Sequence, residues 1–258
     1  MVESEIQDPQ TEMSAFDLSV VVPALNEAEN IRPMVKEIEE TAIKAKLAVE
    51  LIVVDDASDD DTLQTLVNLT MRYVKLRVLH RGHCGGQSAA TAAGIEMARA
   101  PYVATLDADL QNNPADLIKL LDVVRRGDAD MAQGDRSANR RDNVAKRISS
   151  WIGRKARWII LGDTIRDTGC SARVVRTDIA RQFPLQFRGM HRFLPVYARM
   201  LGAKVVEIPV DHRSRCHGTT KYGMLNRGPS GLIDCLAVRW MRSRLRPVKY
   251  ELARRDEG

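Results

Sequence analysis

The chain has 258 residues, 44% of them hydrophobic, with 39 Lys/Arg against 34 Asp/Glu. That length buries a full core, and no apolar run approaches the roughly 20 uninterrupted residues of a membrane-spanning helix, so the composition reads as globular. Four scattered cysteines (Cys84, Cys170, Cys216, Cys235) lack framework spacing, which argues against a disulfide-stapled secreted protein and for reduced thiols in the cytoplasm.

Residues 1–16 are polar and acidic, without a basic segment leading into an apolar one, and are expected to form a flexible tail rather than a signal peptide. LSVVVPA (18–24) predicts a first strand, and an amphipathic helix follows over about 27–47, with Ile31, Met34, Val35 and Ile38 on one face. VELIVVDD (49–56) predicts the second strand, DTLQTLVNLTMRY the second helix and LRVLHR the third strand. GGQSAATAAGIEMARA reads as a small-residue helix, YVATLD as the fourth strand, PADLIKLLDVVRRG as a helix with Pro114 in its first turn, and DMAQGDR as a fifth strand. Apolar strands separated by helices predict an α/β fold: over 17–135, a doubly wound, mostly parallel sheet covered by helices on both faces.

In such sheets ligands bind at the carboxyl edge of the strands, and acids collect there: PALNEAEN after strand one, DDASDDD after strand two, DADLQ after strand four. Helix capping by Asp59 to Asp61 accounts for one cluster, but three on one edge read as a site. Charge is also divided along the chain. Residues 1–135 hold 12 Lys/Arg and 24 Asp/Glu, whereas residues 136–258 hold 27 and 10, so the second half is expected to face phosphates.

The first strand–helix turn contains no glycine, which excludes the dinucleotide-binding and P-loop classes, whose backbone N–H groups cradle phosphate. A nucleotide here needs its diphosphate neutralised by a cation. Asp107, Asp109 and Gln111 offer hard oxygen ligands at alternate positions, the donor set suited to Mg²⁺ or Mn²⁺. D-x-D alone is a weak motif, and its place at a strand end is what gives it weight. His212, Cys216 and His217 lack the ligand spacing of a zinc site.

VVVPALNEAENI, LIVVDDASDDDT, RGHCGGQSAATAAGI, ATLDADLQNNP, QGDR, RDTGCSAR and RSRCHGTTKYG, in this order over about 18–244, resemble the inverting family 2 glycosyltransferases of GT-A fold. Among these, the chain is most similar to polyprenyl-phosphate sugar transferases related to dolichol-phosphate mannosyltransferase. The resemblance implies a GT-A domain over 17–226, with a nucleotide-sugar half (17–135) and an acceptor half (136–226), followed by a basic helix and tail (227–258). It also implies that Pro23, Leu25, Glu27, Val54, Asp55 and Asp56 line the donor's base and ribose pocket, Leu25 standing where the family commonly has tyrosine. Asp107, Ala108, Asp109 and Gln111 would hold metal and diphosphate, and Arg136 would reach both donor phosphate and acceptor. Arg215 and Lys221 would lie on a loop that closes over donor and acceptor, and Asp167 would fix a sugar hydroxyl or the acceptor lid.

VAKRISSWIGRKARWIILG (144–162) reads as an amphipathic interface helix. Ile148, Trp151, Ile152, Trp158, Ile159 and Ile160 share one broad side, bordered by Lys146, Arg147, Arg154, Lys155 and Arg157. The resemblance places acceptor-phosphate contacts in this region, here Lys146, Arg147 and Ser150. A polyprenyl phosphate is already an anion near neutral pH, its second pKa being about 6, so the reaction needs no protein base to deprotonate a hydroxyl.

Competing classes fit less well. A processive synthase carries Q-x-x-R-W where this chain has LAVRW, a nucleotidyltransferase needs a glycine-rich first loop, and a nucleic-acid binder leaves Asp107, Asp109 and Gln111 unexplained. Many relatives continue into two membrane-spanning helices where this sequence reads VKYELARRDEG. The expectation is therefore peripheral placement on the inner face of the membrane, through an anionic surface or a small integral anchor protein, with a GDP- or UDP-sugar and polyprenyl phosphate as substrates and no nucleic acid partner.

Overall fold

The computed structural model describes residues 15–73, 75–137, 144–213 and 227–246, with side chains throughout except at 144–150 and 227–230. Nine predicted elements appear in order: β1 (Leu18–Ala24), α1 (Ala28–Ala45), β2 (Val49–Asp55), α2 (Thr62–Thr70), β3 (Leu76–His80), α3 (Gln87–Glu96), β4 (Tyr102–Thr105), α4 (Pro114–Arg125) and β5 (Met131–Asp135). Then come α5 (Val144–Leu161), β6 (Arg173–Arg176), α6 (Thr177–Ala180), a 3₁₀ turn at Met190–Phe193, α7 (Leu194–Met200), β7 (Val205–Pro209) and α8 (Arg227–Arg244).

The seven strands form one sheet in the order β3-β2-β1-β4-β6-β5-β7. β1, β2, β3 and β4 run parallel, as do β5 and β7, while β6 is antiparallel to both β4 and β5. The expected mostly parallel, doubly wound α/β sheet is thus found, with one antiparallel strand that sequence periodicity did not show.

Alternation along the central strands divides the core between two faces. Val20, Val22, Leu51 and Val53 join the cluster under α1, α2 and α4, whereas Val21, Ile52 and Val54 point into the cluster under α3, α6 and α7. α3 lies close to the sheet because its residues are small: a Cβ on Gly94 would stand 2.3 Å from Val21 Cγ1. At the strands' amino ends, buried Glu50 accepts from Ser19 Oγ (2.6 Å), Arg99 N (2.6 Å) and Arg77 Nη1 (3.2 Å), tying the entry to β4 onto β1 and β2.

α5 and α8 adjoin one another. Ile160, expected on the apolar stripe of α5, instead packs half-buried against the second core, because it is rotated about 100° from Ile159. Among the described residues, no helix is long and apolar enough to cross a membrane.

Candidate active site

Because β6 opposes both β4 and β5, the carboxyl ends of β4 and β5 emerge at one edge together with those of β1 and β2, and the amino end of β6 joins them. Three turns at this edge hold a non-glycine residue in left-handed conformation: Asn26 (φ 53°), Ala57 (φ 61°) and Leu110 (φ 61°). Alanine and leucine visit that region at a cost of about 1–3 kcal/mol, a strain that gathers at functional sites.

Asp107 and Asp109 leave β4 here, followed by the sharp turn at Leu110. The half-buried Asp107 receives Gln87 Nε2 on Oδ1 at 2.7 Å, and its own N–H donates to Ser171 Oγ at 3.1 Å. Burial pushes the Asp107 carboxyl above its ordinary pKa, and the charge of Asp109 adds to the shift, against the pull of Ser171, Arg173 and Arg136. Asp109 is buried and accepts from Gln111 N at 3.2 Å, and the Gln111 carbonyl accepts from Arg213 N at 2.8 Å. Ala108 is buried between the two acids. Asn112 Nδ2 also donates to Ser171 Oγ, at 2.8 Å, so one hydroxyl braces both ends of the acidic turn.

Across the edge, Arg136 follows β5 and is gripped by Asp167 through Nε–Oδ2 at 2.7 Å and Nη2–Oδ1 at 3.1 Å, with both side chains buried. Burial disfavours the guanidinium charge, but the hydrogen bonds to Asp167 and its charge outweigh this and raise the Arg136 pKa. Beneath them Arg173, between Thr105 and Gln133 in the sheet register, donates to Gln133 Oε1 (2.7 Å), Thr168 O (2.9 Å) and His191 O (3.0 Å). Gln133 Nε2 in turn donates to the carbonyls of Asp167 and Cys170, each at 3.1 Å. The network fixes the 167–171 segment under the acids, and burial pushes the Cys170 thiol up to about 11, which keeps it an inert neutral group.

On the donor side, Pro23 lies near the end of β1 and Leu25 and Glu27 just beyond it, and Glu27 Oε2 accepts from Asn30 Nδ2 at 2.7 Å. Val54 is fully buried, with its side chain in the core beside α3. Asp55 pairs with His80 Nδ1 at 2.8 Å. Asp56 gathers the 81–86 loop, accepting from Gly86 N (2.7 Å), Gly85 N (3.0 Å) and Arg81. Lys146, Arg147 and Ser150 lie on α5, in the part where only backbone is described, and Arg215 and Lys221 lie outside the described residues.

The structure therefore brings Asp107, Asp109, Arg136 and Asp167 together. It adds Gln87, Arg81, Ser171 and Arg173, to which sequence reasoning assigned no role. Their signal was present, since RGHCGGQS and TGCSAR were both singled out, but it took β6 pairing to show that the second reaches the acids.

The donor set fits a hard divalent ion. Asp107 and Asp109 are two carboxylates whose mutual repulsion a cation would relieve, and among the described residues no group of three His, Cys, Asp or Glu could hold a metal. Mg²⁺ and Mn²⁺ bind through one or two carboxylates and fill their remaining positions with water and phosphate oxygens.

The profile of "Glycosyl transferase family 2" matches residues 19–183. The chain is 34% identical to dodecaprenyl-phosphate galacturonate synthase of Rhizobium johnstonii, over 92% of this chain and 71% of that protein. It is 31% identical to undecaprenyl-phosphate 4-deoxy-4-formamido-L-arabinose transferase of Proteus mirabilis, over 83% of this chain, and spans 66% of that protein's length. The fold matches glucosyl-3-phosphoglycerate synthase from Mycobacterium tuberculosis in complex with Mn²⁺, UDP and phosphoglyceric acid, with TM-score 0.67, 18% identity and coverage of 90% and 80%. It also matches a mannosyltransferase from Pyrobaculum calidifontis in complex with GDP-mannose and Mn²⁺, with TM-score 0.63, 16% identity and coverage of 89% and 64%. With a profile matched over more than half its length and a relative aligned over nine-tenths of it, the chain belongs to glycosyl transferase family 2.

Proposed function

We propose that this chain transfers a hexose or related sugar from a GDP- or UDP-sugar to the phosphate of a polyprenyl phosphate, with inversion at the anomeric carbon. One observation carries the reading: a pair of acids on one strand end faces Arg136, held rigid by Asp167, across the same sheet edge. Such a site suits two anionic reactants, one bound through a cation and one bound directly. The names of the relatives, which act on dodecaprenyl and undecaprenyl phosphate, support the acceptor class.

The donor's base and ribose would rest against the turn at Pro23, Leu25 and Glu27 and the Asp55–Asp56 corner. Asp107 and Asp109, with Gln111, would hold Mg²⁺ or Mn²⁺, which neutralises charge building on the departing nucleoside diphosphate. Arg136 would orient the attacking phosphate oxygen, joined by Lys146, Arg147, Ser150, Arg215 and Lys221. Asp167 keeps the Arg136 fork aimed and charged. The acceptor is an anion already, so rate comes from positioning and charge neutralisation rather than proton abstraction. The enzyme would work peripherally at the inner face of the membrane, directly or through a small integral anchor protein.

Acceptor discrimination tests the reading. With labelled nucleotide sugars and Mn²⁺, the chain is expected to label polyprenyl phosphate and to leave the corresponding polyprenol unlabelled. Equal labelling of the alcohol would overturn it.

A further inference from the structure

The first turn of α3 grips two segments at once. Gln87 Nε2 donates to Asp107 Oδ1 at 2.7 Å, and the next residue, Ser88, holds His191, 103 residues away. Ser88 Oγ lies 2.8 Å from His191 Nδ1 and accepts from the His191 N–H at 3.1 Å. On the other side, the His191 carbonyl accepts from Arg173 Nη1 at 3.0 Å, and Arg173 pairs in the sheet with Thr105, two residues before Asp107. The turn leading into His191 is fixed as well: Gly189 takes a left-handed φ of 84°, and a Cβ there would stand 2.9 Å from Asp234 Oδ2. Half-buried His191 is thus carried to the carboxyl edge beside Asp107, tied to α3 on one side and to β6 on the other.

Hydrogen counting fixes the tautomer of this imidazole. Ser88 is 2% exposed, so its hydroxyl hydrogen needs an acceptor inside the protein. Among the described residues, the side-chain partners of Ser88 are the His191 N–H, which can only donate, and Nδ1. Nδ1 is therefore the acceptor, and the ring proton sits on Nε2. A proton on Nδ1 would aim two hydrogens at one contact. With no lone pair at Nε2, the ring offers a hydrogen-bond donor there rather than a base.

We propose that the Nε2–H of His191 donates to a hydroxyl oxygen of the sugar carried by the nucleotide donor, which makes His191 a specificity-determining contact of the transfer. This contact presupposes the sugar transfer proposed above and names a residue that recognises the sugar. Charge selects the oxygen: the diphosphate is anionic and suits a cation at Asp107 and Asp109, whereas a neutral N–H suits an uncharged hydroxyl. Position agrees. A sugar joined to a diphosphate bound at Asp107 begins one bridging oxygen beyond it, beside a side chain tied to the residue that follows Gln87.

Two-bond ¹H–¹⁵N spectra of the full chain show which nitrogen of each imidazole bears the proton; the chain has five histidines, and His191→Gln identifies the His191 signal. Wild type is expected to show His191 protonated at Nε2 alone, and Ser88→Ala to show a mixture of tautomers. UDP-glucose, UDP-galacturonic acid and GDP-mannose, each with Mg²⁺, are then compared with UDP and GDP. The Nε2 signal should move with the donor that is turned over and stay in place with the nucleoside diphosphate alone. In transfer assays His191→Ala is expected to lose about tenfold or more in kcat/KM, and His191→Gln, whose amide N–H can stand in for Nε2–H, to recover much of it. Both variants keep the main-chain bonds to Ser88 and Arg173, so the fold should survive. A proton on Nδ1 in the free chain, a signal indifferent to a donor that is turned over, or a His191→Ala variant within about threefold of wild type would overturn the proposal and leave the transfer itself standing. No turnover of any sugar nucleotide would overturn both.

Discussion

Arg136 and Asp167 are joined twice, Nε to Oδ2 at 2.7 Å and Nη2 to Oδ1 at 3.1 Å, and the Arg136 N–H reaches the same carboxylate at 3.3 Å. Thirty-one residues apart in sequence, they fix the cation at the end of β5 to the segment that leads into β6.

Breaking this pair should damage stability and activity together. Asp167→Ala leaves a buried guanidinium unpaired and is expected to cost about 3–5 kcal/mol in chemical denaturation. Arg136→Lys keeps the charge but loses the fork, so the fold should survive while kcat falls about 100-fold in the transfer assay.

Asp107 should be a residue that function retains at the expense of stability. Its folded pKa lies above the ordinary value because of burial and Asp109. A raised carboxyl pKa favours folding below the unfolded-state pKa of about 3.9, and that contribution is lost as pH rises through the folded value. Asp107→Asn is therefore expected to melt about 2–4 °C above wild type at pH 7 in chelator, a gain of about 1 kcal/mol, with the difference vanishing toward pH 3. The same variant should be inactive.

The opposite edge of the sheet should separate fold from activity. Glu50→Ala removes the acceptor shared by Ser19, Arg77 and Arg99 and is expected to cost about 3–5 kcal/mol, with normal turnover per folded molecule. Unchanged urea denaturation in this variant would contradict the buried network.

Packing of α3 gives a test of the fold alone. A Cβ on Gly94 would meet Val21 Cγ1 at 2.3 Å, so Gly94→Ala should destabilise by about 1–3 kcal/mol, and a Val21→Ala background should recover part of that loss.

Residues 17–135 were legible because their strands are apolar and their helices carry a clear 3.6-residue period, as Ile31, Met34, Val35 and Ile38 do in α1. The acids declared their edge for the same reason, since each cluster closes a readable strand. β6 was not legible: RVVR is four residues long, begins and ends in arginine, and follows a polar segment, so neither length nor alternation marks it. Missing it hid how Ser171 and Arg173 come to lie beneath Asp107, a placement created by antiparallel pairing rather than by any local pattern. The amphipathic character of α5 was equally plain, but periodicity cannot tell which stripe faces the protein, and Arg157, read as a border residue, turned inward to Asp163.

Identifying the lipid product tests the central claim most directly. Purified chain, Mn²⁺, a panel of labelled GDP- and UDP-sugars and polyprenyl phosphate should yield, for at least one donor, a polyprenyl-phosphate sugar of inverted anomeric configuration, and the Asp107→Ala/Asp109→Ala variant should yield none. A product of retained configuration, no labelled lipid from any donor, or full activity in the double variant would contradict the account.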